Sequence, residues 1–214
     1  MARYVIKKPK KFVRKFGILS GLPTNIRRNS KPGMHGKKRE GKLSEFGKGL
    51  FNKNKLRACY GISEKQFRNY FYEASKAIDK AEALLQSLEF RLDNLVYRLG
   101  LAPSLPAARQ LVVHGHVQVQ KISSSLAEGE VVFEKVDKPA YQVKSRQKIK
   151  LSAKLAKKLP VAIEQSIANV QNRVDYVEFE ADSFSGCFSR IPTATEIPVE
   201  VEVSKIIEFS SRRL

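Results

Sequence analysis

The sequence of 214 residues predicts an α+β fold from three features. From about Ser44 to Leu111, apolar side chains recur at helical spacing. Alternating, strand-like segments follow, first at Val117-Gln118-Val119 and again at Glu130–Glu134 and Tyr176–Phe179. Ahead of both lies a basic stretch broken by glycine and proline, with neither period.

That first stretch, residues 1–47, is the clearest statement about a partner. Residues 1–57 hold 18 Lys or Arg but only Glu40 and Glu45, within a chain of net charge +19. Such a block repels itself and needs counter-charge to fold compactly. Nucleic acid supplies that charge and gains entropy from released ions. A basic amphipathic membrane helix is excluded because Pro9, Gly17, Gly21, Pro23, Pro32 and Gly33 interrupt every continuous stripe. Within it, Pro32-Gly33-Met34-His35-Gly36-Lys37-Lys38-Arg39 is a basic turn whose glycines allow close backbone approach to phosphate.

Helical periodicity begins near Ser44 and runs to about Lys76. Ser63 is a candidate N-cap for a helix with Phe67, Phe71 and Ala74 on its apolar side. That aromatic stripe is read as core. A second helix, roughly Lys80 to Leu88, leads into a third. On the third, Leu88, Leu92, Leu95, Val96 and Leu99 fall within an arc of roughly 100°, and Arg91, Asn94 and Arg98 within a separate arc of about 60°. This predicts a buried stripe holding a basic, amide-bearing stripe in fixed orientation. Gly100 ends the helix and Pro103 prevents its continuation. Ser104 caps the next helix, with Pro106 in its first turn, and the helix breaks at His114-Gly115-His116. Arg91, Asn94, Arg98, Arg109, His114 and His116 are expected to converge as hydrogen-bond donors, with Asp93 as a helix-surface or intramolecular salt-bridge partner.

Residues 154–175 read as a basic connection and helix, and residues 176–209 alternate, including Ile197–Val203. Apolar runs are too short for a transmembrane helix, and no secretory signal is seen. Cys59 and Cys187 lie too far apart in sequence for metal-ligand spacing and are read as reduced thiols. Enzyme signatures are missing: no His-Glu-x-x-His, no phosphate-binding Gly-x-x-x-x-Gly-Lys loop and no Gly-x-Ser-x-Gly elbow.

Residues Arg91–Gly100, Ala108–Val112 and His114–Val117 resemble the S four RNA-binding domain. The flanks are similar to the small-subunit ribosomal protein S four family: Met1–Tyr4, the Pro32–Gly36 turn, Lys55–Arg57, Tyr60-Gly61, Ser63–Phe67, Pro139–Val143 and Ile206–Arg212. The chain departs from that pattern at Met34, Asn52, Asn54 and Ser210. It also lacks the usual Asn-Gly turn after Val119, and the stretch 120–138 reads as an insertion that lengthens the hairpin or adds another strand pair.

The resemblance implies a helical domain with an inserted S four RNA-binding module, two helices packed on a small antiparallel sheet, behind a long basic N-terminal extension. Its expected divisions are 1–47 extension, 48–90 first helical domain, 91–153 inserted module and 154–214 a C-terminal return onto the helical domain. It implies RNA contacts at Arg3, Arg27, Arg28, His35, Gly36, Lys37, Lys38, Arg39, Lys55, Arg57, Arg91, Asn94, Arg98, Arg109, Gln110, His114 and His116. The implied partners are the five-prime domain of small-subunit ribosomal RNA, ribosomal protein S five and other small-subunit proteins, beside the messenger RNA entry channel, with no membrane. The implied function is structural: early RNA binding that nucleates subunit assembly, and a contribution to translational accuracy. The alternative is an RNA-modifying or aminoacylating enzyme carrying an S four appendage. A third reading is a small basic RNA chaperone acting on stalled or heat-damaged ribosomes. Many family members hold zinc through four early cysteines; this chain has none before Cys59, so no zinc or other cofactor is expected. Gly17–Thr24 resembles plastid and cyanobacterial members, which favours a plastid ribosome over a bacterial cytoplasmic one.

Overall fold

A computed structural model describes residues 9–17, 30–36, 41–121, 132–152, 174–180 and 183–211. Its two compact units are Met1–Leu85 with Ile197–Leu214, and Gln86–Glu196. Among the described residues there are seven helices and one five-stranded sheet. No helix among them is long and apolar enough to cross a membrane.

The first unit is helical. Helix α1 (Pro9–Phe16) buries Val13 and Phe16, and Phe16 packs 5.1 Å from the Phe51 ring. The basic start is therefore not uniformly an extension, because apolar residues between its lysines make a docking stripe. Helix α2 (Glu45–Tyr60) starts where Ser44 accepts a hydrogen bond from the Gly47 N–H, and ends at Gly61 with φ 56°. Only a residue without Cβ enters that left-handed conformation without strain. Helix α3 (Glu64–Ala74) opens on a capping box in which Ser63 and Gln66 satisfy each other's backbone N–H groups. Its Phe67 and Phe71 are buried, as the spacing predicts. Helix α4 (Lys80–Glu89) carries the chain towards the second unit.

The C-terminal helix α7 (Val203–Ser211) packs on α2. The contact is tight at Gly49, where an added Cβ would lie 2.7 Å from the Phe209 Cβ and 3.1 Å from the Lys205 carbonyl oxygen. The buried Lys53 ammonium sits between the Phe67 and Phe209 rings, 5.6 and 5.4 Å from their centres, and pairs with Glu64. Residues Ile197–Val203, read as a strand, are not one. Val199 and Val201 donate to the carbonyls two residues earlier, and α7 begins at Val203. These tight turns satisfy the backbone locally, so alternation there has no neighbouring strand behind it.

The second unit packs α5 (Leu92–Arg98) and α6 (Leu105–Val113) on an antiparallel sheet of order β2-β1-β3-β5-β4. Its strands are β1 (Val117–Gln120), β2 (Phe133–Lys135), β3 (Ile149–Leu151), β4 (Val177–Glu180) and β5 (Ser185–Phe188). Val117, Val119, Ile149, Leu151 and Phe188 point inward onto Leu92, Leu95, Val96, Leu99, Ala108 and Val112. Strands β4 and β5 extend this sheet, with Ile149 opposite Gly186. The expected division at residue 153 therefore shifts: 174–196 belongs with the inserted unit, and only Ile197 onward returns to the first.

The periodicity over Leu88–Leu99 predicts one helix, and the structure has two. Arg91 is extended (φ −67°, ψ 138°) and bridges Gln142, with Leu92 N–H donating to Tyr141 and Val143 N–H to Phe90. The break exists because residues 90–91 pair with a distant segment, which local spacing does not encode.

Candidate nucleic-acid interface

The break at Arg91 turns the expected basic stripe inward. Every residue from Arg91 to Gly100 is buried, so α5 has no solvent face. Arg98 donates to the Glu89 carboxylate at 2.7 Å, and Asn94 donates to the same carboxylate and to the Glu89 carbonyl. Glu89 is fully buried. Asp93, also fully buried, takes two bonds from Arg91 at 3.0 and 2.8 Å and two from Arg109 at 2.9 and 2.7 Å. A carboxylate taken out of water is stable only when paired and hydrogen-bonded in this way. Burial also pushes the nearby Tyr176 hydroxyl up, with Glu89 adding to the effect and Arg98 opposing it. Arg91, Asn94 and Arg98 thus leave the expected donor surface. Of the two roles expected of Asp93, it takes the intramolecular salt bridge, and its full burial rules out a place on the helix surface.

The remainder of the set stays together at the end of α6. Gln110 and His114 are exposed, His116 is half-buried, and the two imidazoles lie 6.2 Å apart. His114 N–H donates to the Gln110 carbonyl, and Gly115 turns the chain with φ 69°. The Arg109 side chain is 17% exposed, at the border between the buried pair and this surface. Sequence reasoning missed Lys135. Its side chain lies directly over Gly115, in the space a Cβ would take, and brings an ammonium over the residue that separates the two histidines. The pairing of β1 with β2 puts it there, and nothing near residue 135 in sequence signals it.

The first unit offers a second cationic face. Arg14 of α1, also missed, donates from Nε to the Ser30 carbonyl at 2.7 Å and from its terminal nitrogen to the Lys31 carbonyl at 3.0 Å. That pins the Pro32–Gly36 turn, where His35 is exposed. A Cβ on Gly36 would collide with the Lys31 carbonyl, which accounts for glycine there. Lys55 is half-buried on α2. Arg57 bonds Asn54 and pairs with Glu64 at 2.8 Å. Burial pushes the Glu64 carboxyl up, but Lys53, Arg57 and Arg68 together hold it below its usual value. Arg57 is thus mainly a brace between α2 and α3. Arg3, Arg27, Arg28, Lys37, Lys38 and Arg39 lie outside the described residues. No group of three or more His, Cys, Asp or Glu residues among the described ones is placed to hold a metal.

Comparison with known proteins places these surfaces in a family. Residues 5–89 match the ribosomal protein S4/S9 N-terminal domain, and residues 90–123 match the S4 domain. The chain is 42% identical to small ribosomal subunit protein uS4 of Latilactobacillus sakei, over 99% of this chain and 100% of that protein. Identity is 42% with the uS4 of Halalkalibacterium halodurans, over 94% of this chain and 96% of the other. With the uS4 of Brevibacillus brevis it is 40%, over 99% and 100%. Matches that run through both units and both family domains establish that the chain belongs to the small ribosomal subunit protein uS4 family.

Proposed function

We propose that the chain is a structural constituent of the small ribosomal subunit that binds its ribosomal RNA and carries out no catalysis. The observation that carries this reading is 42% identity to a uS4 protein along essentially the whole of both chains. An enzyme with an S four appendage would need a catalytic domain beyond the family match, and the two units are both accounted for as uS4.

The surface that supports RNA binding is the end of α6 with Gln110, His114, His116 and Lys135, together with the turn pinned by Arg14. Arg91, Asn94 and Arg98 act one layer below, fixing α5 against α4 and α6 so that those groups hold their positions. Phosphate and sugar contacts would set orientation, and the shape of the folded RNA would set selectivity. Early binding to the five-prime domain, contact with ribosomal protein S five and a position beside the messenger RNA entry channel are the finer expectations. The bacterial relatives give no support to a plastid setting, and a bacterial cytoplasmic ribosome fits them.

Crosslinking in native particles followed by sequencing tests the reading. Crosslinked RNA should map to the small-subunit ribosomal RNA, with protein sites at His35, His114 and His116. Crosslinks that fall wholly outside that RNA would overturn it.

A further inference from the structure

Described residues at the two ends of the stretch 120–138, together with Val119, Tyr141, Lys144 and Gln147, line a groove of about 350 Å³ in the second unit. One wall is the end of β1 with Lys121 just beyond it; the other is Glu134 and Lys135 of β2 with residues from the chain that follows to Lys144. Four lysines line it, Lys121, Lys135, Lys138 and Lys144, against two carboxylates, Glu134 and Asp137. The rim is therefore net positive by two. Among the described residues, none of the four ammonium groups has a carboxylate within ion-pair distance.

The floor is rigid. Gln147 is buried, donates to the Gln120 carbonyl at 2.7 Å and to the Tyr141 hydroxyl at 3.3 Å, and accepts from the Lys144 N–H at 2.9 Å. Because the Tyr141 oxygen is accepting, its own proton is left to donate elsewhere, and no acceptor among the described residues takes it. An O–H donor in a groove that four such ammonium groups also line suits an oxyanion.

We propose that this groove binds backbone phosphates of RNA, as a continuation of the interface at the end of α6. Lys135 makes the connection: it covers Gly115 between the two histidines and also lines the groove. A strand of RNA seated on the histidine turn therefore has a cationic path past Lys135 towards Lys121, Lys138 and Lys144. The inference rests on the RNA-binding reading above and adds Lys135, Lys138 and Lys144, which lie beyond the S4 domain match that stops at residue 123.

The test uses the full chain, a transcript of the small-subunit ribosomal RNA, and the double variant K138Q/K144Q. Both lysines are exposed, so the variant should fold, as circular dichroism would verify. RNA should protect Lys121, Lys138 and Lys144 from acetylation read by mass spectrometry, by about threefold or more. Each lost phosphate contact lowers the slope of log affinity against log salt by about 0.7 to 0.9, so the variant should lose about 1.5. Wild-type binding with no protection and an unchanged slope would overturn the groove while leaving the ribosomal reading intact. Failure of the wild-type chain to bind the transcript would overturn both. Equal protection by millimolar inorganic phosphate alone would reassign the groove to free phosphate, and protection by polyglutamate but not RNA would reassign it to an acidic protein partner.

Discussion

Asp93 and Glu89 are fully buried carboxylates that between them hold three arginines and an asparagine. Removing one partner of such a pair leaves the other charged and dry, which typically costs about 3–5 kcal/mol. E89Q removes the carboxylate charge paired with Arg98, whose side chain is only 3% exposed. R109Q removes a partner that is 17% exposed, and Asp93 keeps both bonds from Arg91. Urea unfolding followed by circular dichroism should therefore show a loss of about 3 kcal/mol or more for E89Q and clearly less for R109Q. A smaller effect at Glu89 than at Arg109 would mean the buried pair does not hold the unit together. The same geometry changes what an arginine deletion would report, because R91A and R98A would weaken RNA binding by unfolding the unit.

At the scale of elements, the starts of α3 and α6 and the stops of α5 and α6 were legible because their causes are local, whereas α1 and the break between α4 and α5 were not. Ser44, Ser63 and Ser104 each cap the helix that follows, and Gly61, Gly100 and Gly115 each take a positive φ at a helix end. The burial of the basic face of α5 was not legible, because a spacing rule separates two faces without saying that both are covered. Its cover comes from Glu89 on the preceding helix and Arg109 on the following one. The return of α7 was visible through family resemblance, but its contact at Gly49 is a fact of packing. Glycine inside a helix costs about 1 kcal/mol relative to alanine. G49A should nonetheless destabilise, because its Cβ meets the Phe209 Cβ at 2.7 Å and backbone at 3.1 Å. Overpacking of this kind costs about 1–3 kcal/mol. Hydrogen exchange should show faster exchange in α7 than in the wild type, and slower exchange there would mean that helix propensity outweighs the clash.

The whole molecule carries a net charge of +19, and residues 1–57 contain 18 cations but only two carboxylates. Each unit has its own apolar core, but neither core neutralises that charge. The chain therefore gives up stability to self-repulsion in the absence of a polyanion, and regains it when RNA binds. At RNA concentrations of about 100 times Kd, the folded state gains about 2.7 kcal/mol by mass action. That gain depends on salt in a way hydrophobic burial does not. If about six to ten phosphates are neutralised, affinity falls by about 10³ to 10⁵ between about 50 and 200 mM salt. The same RNA concentration then lies well below Kd, and the gain shrinks to under about 0.1 kcal/mol. Urea midpoints of the full chain with and without the ribosomal RNA transcript should therefore differ strongly at low salt and coincide at high salt. An RNA-induced shift of equal size at both salts would mean that apolar or base-specific contacts, and not the cationic surfaces described above, supply the affinity.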